Sequence, residues 1–326
     1  MRFGLTSEQQ EFAKALDALL AASDVPTAAR QWAQGDTSAG LRVWSALAEL
    51  GVAGLAVPEA FTGLGATAVD VAVAFEALGY HAVPGPWVDT AVVAPAVFAA
   101  LGDPLGLLPR VVAGEVTASF ALPPVTPYAA DAALTTHCFL VEDGMLHEAQ
   151  VADTLASVDP GRHPARVVAG QPLCAVDVES VLDRAAAACA AELLGCGRRM
   201  LADAVDYVHA RRQFGRAVGE YQAVKHLLAD VRVALDFAAP LVHGAALALD
   251  EGAPTASRSV SAAKASASDA AYLAARTALQ VHGAIGYTRE YDLSLWFLRT
   301  RALIGAWGTP QWHRSRVLAS LTGGGR

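Results

Sequence analysis

The sequence predicts a mainly α-helical protein in three parts: an N-terminal helical domain (1–112), a small reduced β-domain (113–175) and a C-terminal four-helix bundle (176–326). Alanine-rich runs such as RAAAACAAELLG and SAAKASASDAAYLAART favour closely packed helices, because Ala has the highest helix propensity. Apolar residues recur at helical spacing in the first and last parts. Between them, short apolar stretches are punctuated by Pro and Asp, which indicates strands.

The elements of the first two parts follow from local signals. Ser7 and Gln10 predict a capping box at the start of the first helix, and helical patterns cover 40–50, 68–79 and 88–101. The stretch VPEAFTGLGAT is a loop by composition. In the middle part, VTASFAL, HCFLVEDGMLHEA and ARVVAGQPLCAVDV predict strands, with Asp143-Gly144 as a hairpin turn.

The last part carries long, weakly interrupted helical patterns over 178–210, 219–250, 258–283 and 290–304. Helices of this length, joined by short connections, predict an antiparallel four-helix bundle.

Composition excludes several classes of function. A net charge of −8 argues against nucleic acid as a partner, because phosphate binding needs clustered Lys and Arg. We expect no membrane insertion, since no apolar run reaches the roughly 18 residues needed to span a bilayer, and no signal peptide. The cysteines show no metal-ligand spacing, which predicts free thiols, no metal site and a cytoplasmic location; they are Cys138, Cys174, Cys189 and Cys196.

Two stretches could bind a large anionic ligand. In YVHARRQFGRAVGEYQAVKHLLADV, the guanidinium groups of Arg211 and Arg212 could hold a diphosphate and Phe214 could cover a flat ring; alternatively, the arginines only neutralise the helix C-terminal dipole. In QVHGAIGYTREYDLSLWFLR, Gly283 and Gly286 leave the backbone open to a ligand, although a helix cap with a tight turn explains them equally well.

These two stretches closely resemble the acyl-CoA dehydrogenases, in the pattern from Tyr207 to Asp230 and again from Gln280 to Thr288. The resemblance implies a helix, β and helix-bundle architecture that holds FAD across a subunit interface. By matched position, the resemblance implies that four residues contact the FAD of a neighbouring subunit: Arg211, Gln213, Phe214 and Gln222. Gln280 and Gly283 are expected to lie against the adenosine diphosphate part of the same cofactor. Thr309 and Gln311 match the element that touches adenine within the flavin's own subunit.

The resemblance also identifies a missing base. Typical members read Tyr-Glu-Gly-Thr where GAWGTPQWHR has Ala306 and Trp307 before the Gly-Thr pair, and their Glu removes the proton α to the thioester carbonyl. An indole cannot accept that proton, because its only polar group is an N–H donor. Some relatives place the Glu on the first bundle helix, where an ungapped count falls on Ala185.

Other candidates for the base have simpler explanations. Asp183 is the nearest carboxylate to Ala185, but it lies two residues earlier and therefore on another face, where it also favours the helix dipole. Glu192 is expected to be structural and Glu290 to start the next helix. Three histidines could in principle act as bases, although a lone His on a helix is more often packed or solvated; these are His226, His282 and His313.

The middle part departs from the family as well, because FALPPVTPYAAD replaces the Thr-Glu-Pro-x-x-Gly-Ser-Asp loop that binds the flavin ring. In lacking both the base and this loop, the chain resembles the short, base-lacking subunit of heteromeric actinobacterial acyl-CoA dehydrogenases. Such enzymes are associated with bulky substrates, including steroid thioesters. The implied partners are a related chain carrying the Glu, an acyl-CoA and an electron-transfer flavoprotein. Two alternatives stay open: a non-catalytic scaffold subunit, and a homo-oligomeric flavoenzyme with an unrecognised base such as Asp183.

Overall fold

The computed structural model describes residues 4–288 and 291–323, so Glu290 lies outside the described residues. Its N-terminal part is helical, as predicted. The first helix begins one residue earlier than expected: the capping box pairs Thr6 with Gln9, with Thr6 Oγ1 accepting from Gln9 N at 3.2 Å and Gln9 Oε1 accepting from Thr6 N at 3.0 Å. The Ser7–Gln10 box is therefore wrong, because Thr6 has the extended backbone of an N-cap and Ser7 is already helical. The helices of this part are α1 (Ser7–Ala22), α2 (Val25–Ala33), α3 (Ser38–Glu49), α4 (Ala68–His81), α5 (Ala94–Phe98) and α6 (Leu108–Val112).

The predicted helix over 88–101 is irregular, since a π-helical turn, Asp89–Val93, precedes α5. Two side chains of this turn bind the backbone of the strand β1 (Ala118–Ala121). Asp89 Oδ1 accepts from Phe120 N at 2.9 Å, and Thr90 Oγ1 lies 2.9 Å from Ala118 N and 3.0 Å from Ala118 O. The turn thereby satisfies the open edge of the sheet.

Besides β1, the middle part contains β2 (Ala129–Ala130), β3 (His137–Glu142), β4 (Met145–Thr154) and β5 (Pro164–Ala175). The five strands form one sheet with the order β1-β3-β4-β5-β2. Strands β1 and β3 are parallel and the other pairs are antiparallel. Asp143-Gly144 joins β3 to β4, as predicted, whereas the two-residue β2 was not anticipated.

The C-terminal part is the predicted helical domain, built on three long helices that pack on one another, α7 (Val178–Ala210), α8 (Gln222–Asp250) and α9 (Ala256–His282). Two shorter helices complete it, α10 (Leu293–Gly305) and α11 (Pro310–Leu321). The four-helix description omitted α11, which packs on α9. Pro310 opens α11, a position that Pro tolerates because the first helical N–H has no partner.

Helix α8 is long and apolar enough to span a membrane by length and composition, with a mean hydropathy of 1.4 over its most apolar window. This is weak evidence for a membrane span, since core helices of soluble proteins meet the same criterion. Lys225, Asp230, Arg232 and Asp236 interrupt the helix, so it contains no unbroken apolar run of that length, and the expectation of no membrane insertion stays a prediction.

A buried ion cluster joins the three parts of the chain. Arg299 of α10 donates from Nε to Asp159 Oδ2 at 2.7 Å and from Nη1 to the Val83 carbonyl at 2.9 Å. Its Nη1 also lies 3.4 Å from Glu192 Oε1 of α7. Glu192 therefore has a structural role in this ion cluster, as expected.

Candidate functional site

The first candidate ligand-binding motif lies on a hairpin between α7 and α8. Its strands are β6 (Arg212–Gln213) and β7 (Arg216–Ala217), and both turn residues, Phe214 and Gly215, have positive φ (52° and 81°). Tyr221 braces the hairpin: its hydroxyl donates to the Gln213 carbonyl at 3.3 Å, and the Arg216 guanidinium lies 3.9 Å from its ring centroid. The hairpin therefore has a defined shape within this chain.

Apart from Ala217, the residues of this hairpin are exposed to solvent. Phe214 is 92% exposed, which is unusual for an apolar ring on a strained backbone. Arg211, Gln213 and Gln222 are exposed too, and Arg211 forms no salt bridge with any described residue. The hairpin therefore presents the Phe214 ring and the Arg211 guanidinium to solvent.

The second motif adjoins the first. Tyr207 of α7 stacks on His282 at the end of α9, with ring centroids 4.2 Å apart, and its hydroxyl lies 3.4 Å from the His282 carbonyl. His282 donates from Nδ1 to the Ala278 carbonyl at 2.8 Å and accepts at Nε2 from Tyr291, so its ring nitrogens are engaged. The structure thereby brings Arg211 and Gly283 to the same end of the bundle.

Gln280 and Gly283 are exposed at this end. Gly283 has φ 65° and ψ −140°, a conformation that only glycine adopts readily, and a Cβ there would meet nothing within 4 Å. The backbone is therefore open to close approach.

The third element is the turn between α10 and α11. Trp307 is 2% exposed and has φ 54°, and Gly308 follows with φ 100°. A Cβ on Gly308 would lie 2.7 Å from His313 Nε2, so this position requires glycine. Thr309 caps α11 by accepting from Trp312 N at 3.2 Å. Thr309 and Gln311 are exposed, next to the buried indole.

The turn and the hairpin lie at opposite ends of α9. His313 contacts Ser261 near the start of that helix at 3.2 Å, whereas Tyr207 contacts His282 at its end. At 1.5 Å per residue, the two positions are about 30 Å apart along the helix. Thr309 and Arg211 therefore belong to two separate surfaces.

The carboxylate proposed as an alternative base is fully engaged. Asp183 is buried, accepts from Arg316 Nη1 at 2.7 Å and also contacts Ser257 Oγ. Ala185 itself is 0% exposed. Asp183 thus ties α7 to α9 and α11, in a setting unlike that of an open base.

The loop of the middle part closes on itself. Leu122 N donates to the Thr126 carbonyl at 2.7 Å and Thr126 N donates back to the Leu122 carbonyl at 2.9 Å. These two backbone hydrogen bonds close the turn between Leu122 and Thr126.

Solved structures share this arrangement of helical domain, sheet and helical bundle. The ChsE4-ChsE5 complex from Mycobacterium tuberculosis has a TM-score of 0.84 at 19% identity over 99% of both chains. The Tcur3481-Tcur3483 steroid ACAD, as its G363A variant, has a TM-score of 0.83 at 22% identity over 97% of this chain and 98% of that one. At these identities the likeness establishes the fold.

The sequence establishes the family. The profile described as "Acyl-CoA dehydrogenase, C-terminal domain" matches residues 176–322, and "Acyl-CoA dehydrogenase, N-terminal domain" matches residues 6–105. Acyl-CoA dehydrogenase IpdE2 of Mycobacterium tuberculosis (strain ATCC 25618 / H37Rv) is 32% identical over 221 residues, 67% of this chain and 66% of that protein. The aligned region spans between half and two thirds of the first curated relatives. This chain belongs to the acyl-CoA dehydrogenase family, whose cofactor is FAD.

The exposed residues fit such a cofactor in part. Arg211 can pair with phosphate, Gly283 leaves room for it, and Phe214 offers a flat apolar face. None of these side chains is enclosed by the described part of its own chain. Sequence reasoning missed Lys264 and Ser261, buried residues that hold the turn at Trp307 from α9.

Proposed function

We propose that this chain is a subunit of an FAD-dependent acyl-CoA α,β-dehydrogenase in which a related partner chain supplies the catalytic glutamate. One observation carries the proposal: the family's base position holds Trp307, a buried indole with no proton acceptor. The proton α to the thioester carbonyl then leaves to a carboxylate of the partner. The chemistry that a bound FAD would supply is acceptance of the hydride from the β-carbon.

The residues of this chain hold and orient the cofactor from across an interface. Arg211 would neutralise phosphate oxygens, Phe214 would exclude water from one face, and Gln213 would hydrogen-bond a polar edge. Gln222, Gln280 and Gly283 would complete the same surface, while Thr309 and Gln311 would face an adenine at the other end of α9. The exposure of all these positions supports roles toward another subunit.

An apolar stripe on α8 supports association with another chain. Val233, Phe237 and Leu241 recur every fourth residue and are 53%, 73% and 44% exposed. Apolar side chains in such a row commonly mark a protein interface. We assign this face to the related, glutamate-bearing chain. The likeness to the two-chain ChsE4-ChsE5 complex supports a hetero-oligomer.

The substrate we propose is a bulky acyl-CoA, in line with the likeness to a steroid acyl-CoA dehydrogenase, with an electron-transfer flavoprotein as acceptor in the cytoplasm. The alternative of a homo-oligomer using Asp183 is less well supported, since that carboxylate already pairs with Arg316. A pure scaffold would have no use for the exposed Arg211–Phe214 hairpin.

The experiment is flavin retention by the co-expressed complex with substitutions in this chain only. Arg211→Ala and Phe214→Ala should each lower the flavin content without preventing assembly, because neither side chain packs within its own chain. Arg110→Ala is the control, since Arg110 is also exposed but lies in the N-terminal domain. Unchanged flavin content in both hairpin variants would contradict the proposal.

A further inference from the structure

Lys264 of α9 has a fully buried side chain, 0% exposed, and burial lowers the pKa of its amino group. It forms no salt bridge with a carboxylate among residues 4–288 and 291–323. Its Nζ donates instead to the carbonyls of Leu303 and Ile304, at 3.1 Å and 3.3 Å, and lies 3.5 Å from the Gly308 carbonyl. Burying an ammonium is unfavourable unless polar groups replace its water. The carbonyls at the C-terminal end of α10 replace that water, and the negative end of the helix dipole lies at the same position.

The carbonyls that Lys264 binds border the strained part of the turn. Trp307 and Gly308 both have positive φ, and a non-glycine residue in that region is held there by its surroundings. His313 adds a second support: Nε2 donates to the Trp307 carbonyl at 3.0 Å and Nδ1 accepts from Ser261 Oγ at 3.2 Å. Burial, followed by the nearby Lys264 charge, lowers the pKa of His313 to about 3, so this ring stays neutral at pH 7.

The turn fixes where the next residues point. Thr309 follows Gly308 directly and caps α11, and Gln311 lies in the first turn of that helix. A change in the backbone at Trp307 or Gly308 would therefore rotate the exposed Thr309 and Gln311 side chains away from their present surface.

We infer that Lys264 is a positioning residue, which acts through the carbonyls of residues 303–308 to hold Thr309 and Gln311 in the orientation that receives the adenine of FAD. This assignment rests on the proposed function for its ligand. Lys264 itself does not touch that surface, because the turn lies between them.

The test is Lys264→Met in the complex with the partner chain, since Met keeps the length of the side chain and removes its donors. We expect faster amide exchange in residues 306–312 and at least tenfold weaker FAD binding. Lys264→Arg should restore much of both, because it keeps the charge and the donors. Val260→Ala, another fully buried α9 position, controls for a general loss of stability and should leave FAD binding unchanged.

Two results would overturn the inference: unchanged amide exchange in Lys264→Met, or an equal loss of FAD binding in Val260→Ala at matched melting temperature. Should Lys264→Met prevent assembly, Ser261→Ala tests the same turn through its contact with His313, and the same readouts apply. If the unsubstituted complex binds no FAD, the proposed function is wrong, yet amide exchange still decides whether Lys264 holds the turn.

Discussion

The buried Asp89 carboxylate should make folding stability fall as pH rises. Burial raises the pKa of Asp89 to about 7 from an ordinary value of 3.8, against the opposing effects of the Phe120 N–H and Arg162, and the Asp131 charge adds to the rise. A carboxyl group with a raised folded-state pKa favours the protonated, folded form. Its stabilising contribution is therefore complete below pH 3.8 and is lost as pH rises to about 7.

The size of this effect follows from the shift. A difference of roughly three pKa units corresponds to about 4 kcal/mol, which is an upper bound because the buried site can relax. Asn at position 89 cannot ionise and can still accept from Phe120 N. The free energy of unfolding of Asp89→Asn, relative to the unsubstituted chain, should therefore increase by at most about 3 kcal/mol between pH 4.5 and pH 8, because part of the effect falls below pH 4.5.

Urea unfolding at a series of pH values measures this difference, because groups other than Asp89 titrate alike in both proteins. Asp103→Asn is the matched control, since Asp103 also accepts from backbone N–H groups, those of Leu107 and Leu108, but it is not buried. A difference between Asp89→Asn and the unsubstituted chain that stays constant with pH would refute the reasoning.

Two further predictions concern buried charged or ionisable groups. His313→Gln should make the free energy of unfolding less sensitive to acid. The pKa of His313 is lowered from 6.5 to about 3, so protonation of this ring in the unfolded chain lowers the stability of the folded state as pH falls below 6.5. The full effect is up to about 5 kcal/mol. Unfolding curves at pH 7.5 and pH 5 should show that the variant loses less free energy of unfolding than the unsubstituted chain. An equal loss in both proteins would contradict this prediction. Arg299→Met should cost about 3–5 kcal/mol, because it leaves Asp159 and Glu192 buried without their partner. Asp159→Asn added to Arg299→Met should recover part of this loss, and no recovery would argue against the ion cluster as the cause.

Much of the fold could be predicted because alanine-rich, periodic segments define helices locally. The bounds 178–210 agree with α7, and Asp143-Gly144 joins two strands because that pair adopts the positive φ of a tight turn. The start of α1 was misplaced by one residue, since Thr6, Ser7, Gln9 and Gln10 offer two overlapping capping boxes. The strand β2 was missed because its two alanines carry no β signal and pair only through tertiary contacts.

The residues of the candidate site also fall into two groups, those that local motifs identified and those that only the folded chain brings together. The resemblance identified Arg211, Gly283 and Thr309 from contiguous motifs, and their cofactor roles stay predictions. Lys264 could not be found, because its function depends on carbonyls of residues almost forty positions away, which only the folded chain brings near. The same holds for Asp183, whose pairing with Arg316 spans α7 and α11.

The most direct test of a shared site is to purify this chain alone and together with a related, glutamate-bearing chain, and to measure flavin absorbance, mass and acyl-CoA oxidation on both samples. Flavin and activity are expected only in the mixed complex, with fewer flavins than chains. A yellow, active oligomer of this chain alone would contradict this expectation, and Asp183→Asn would then be the first substitution to make.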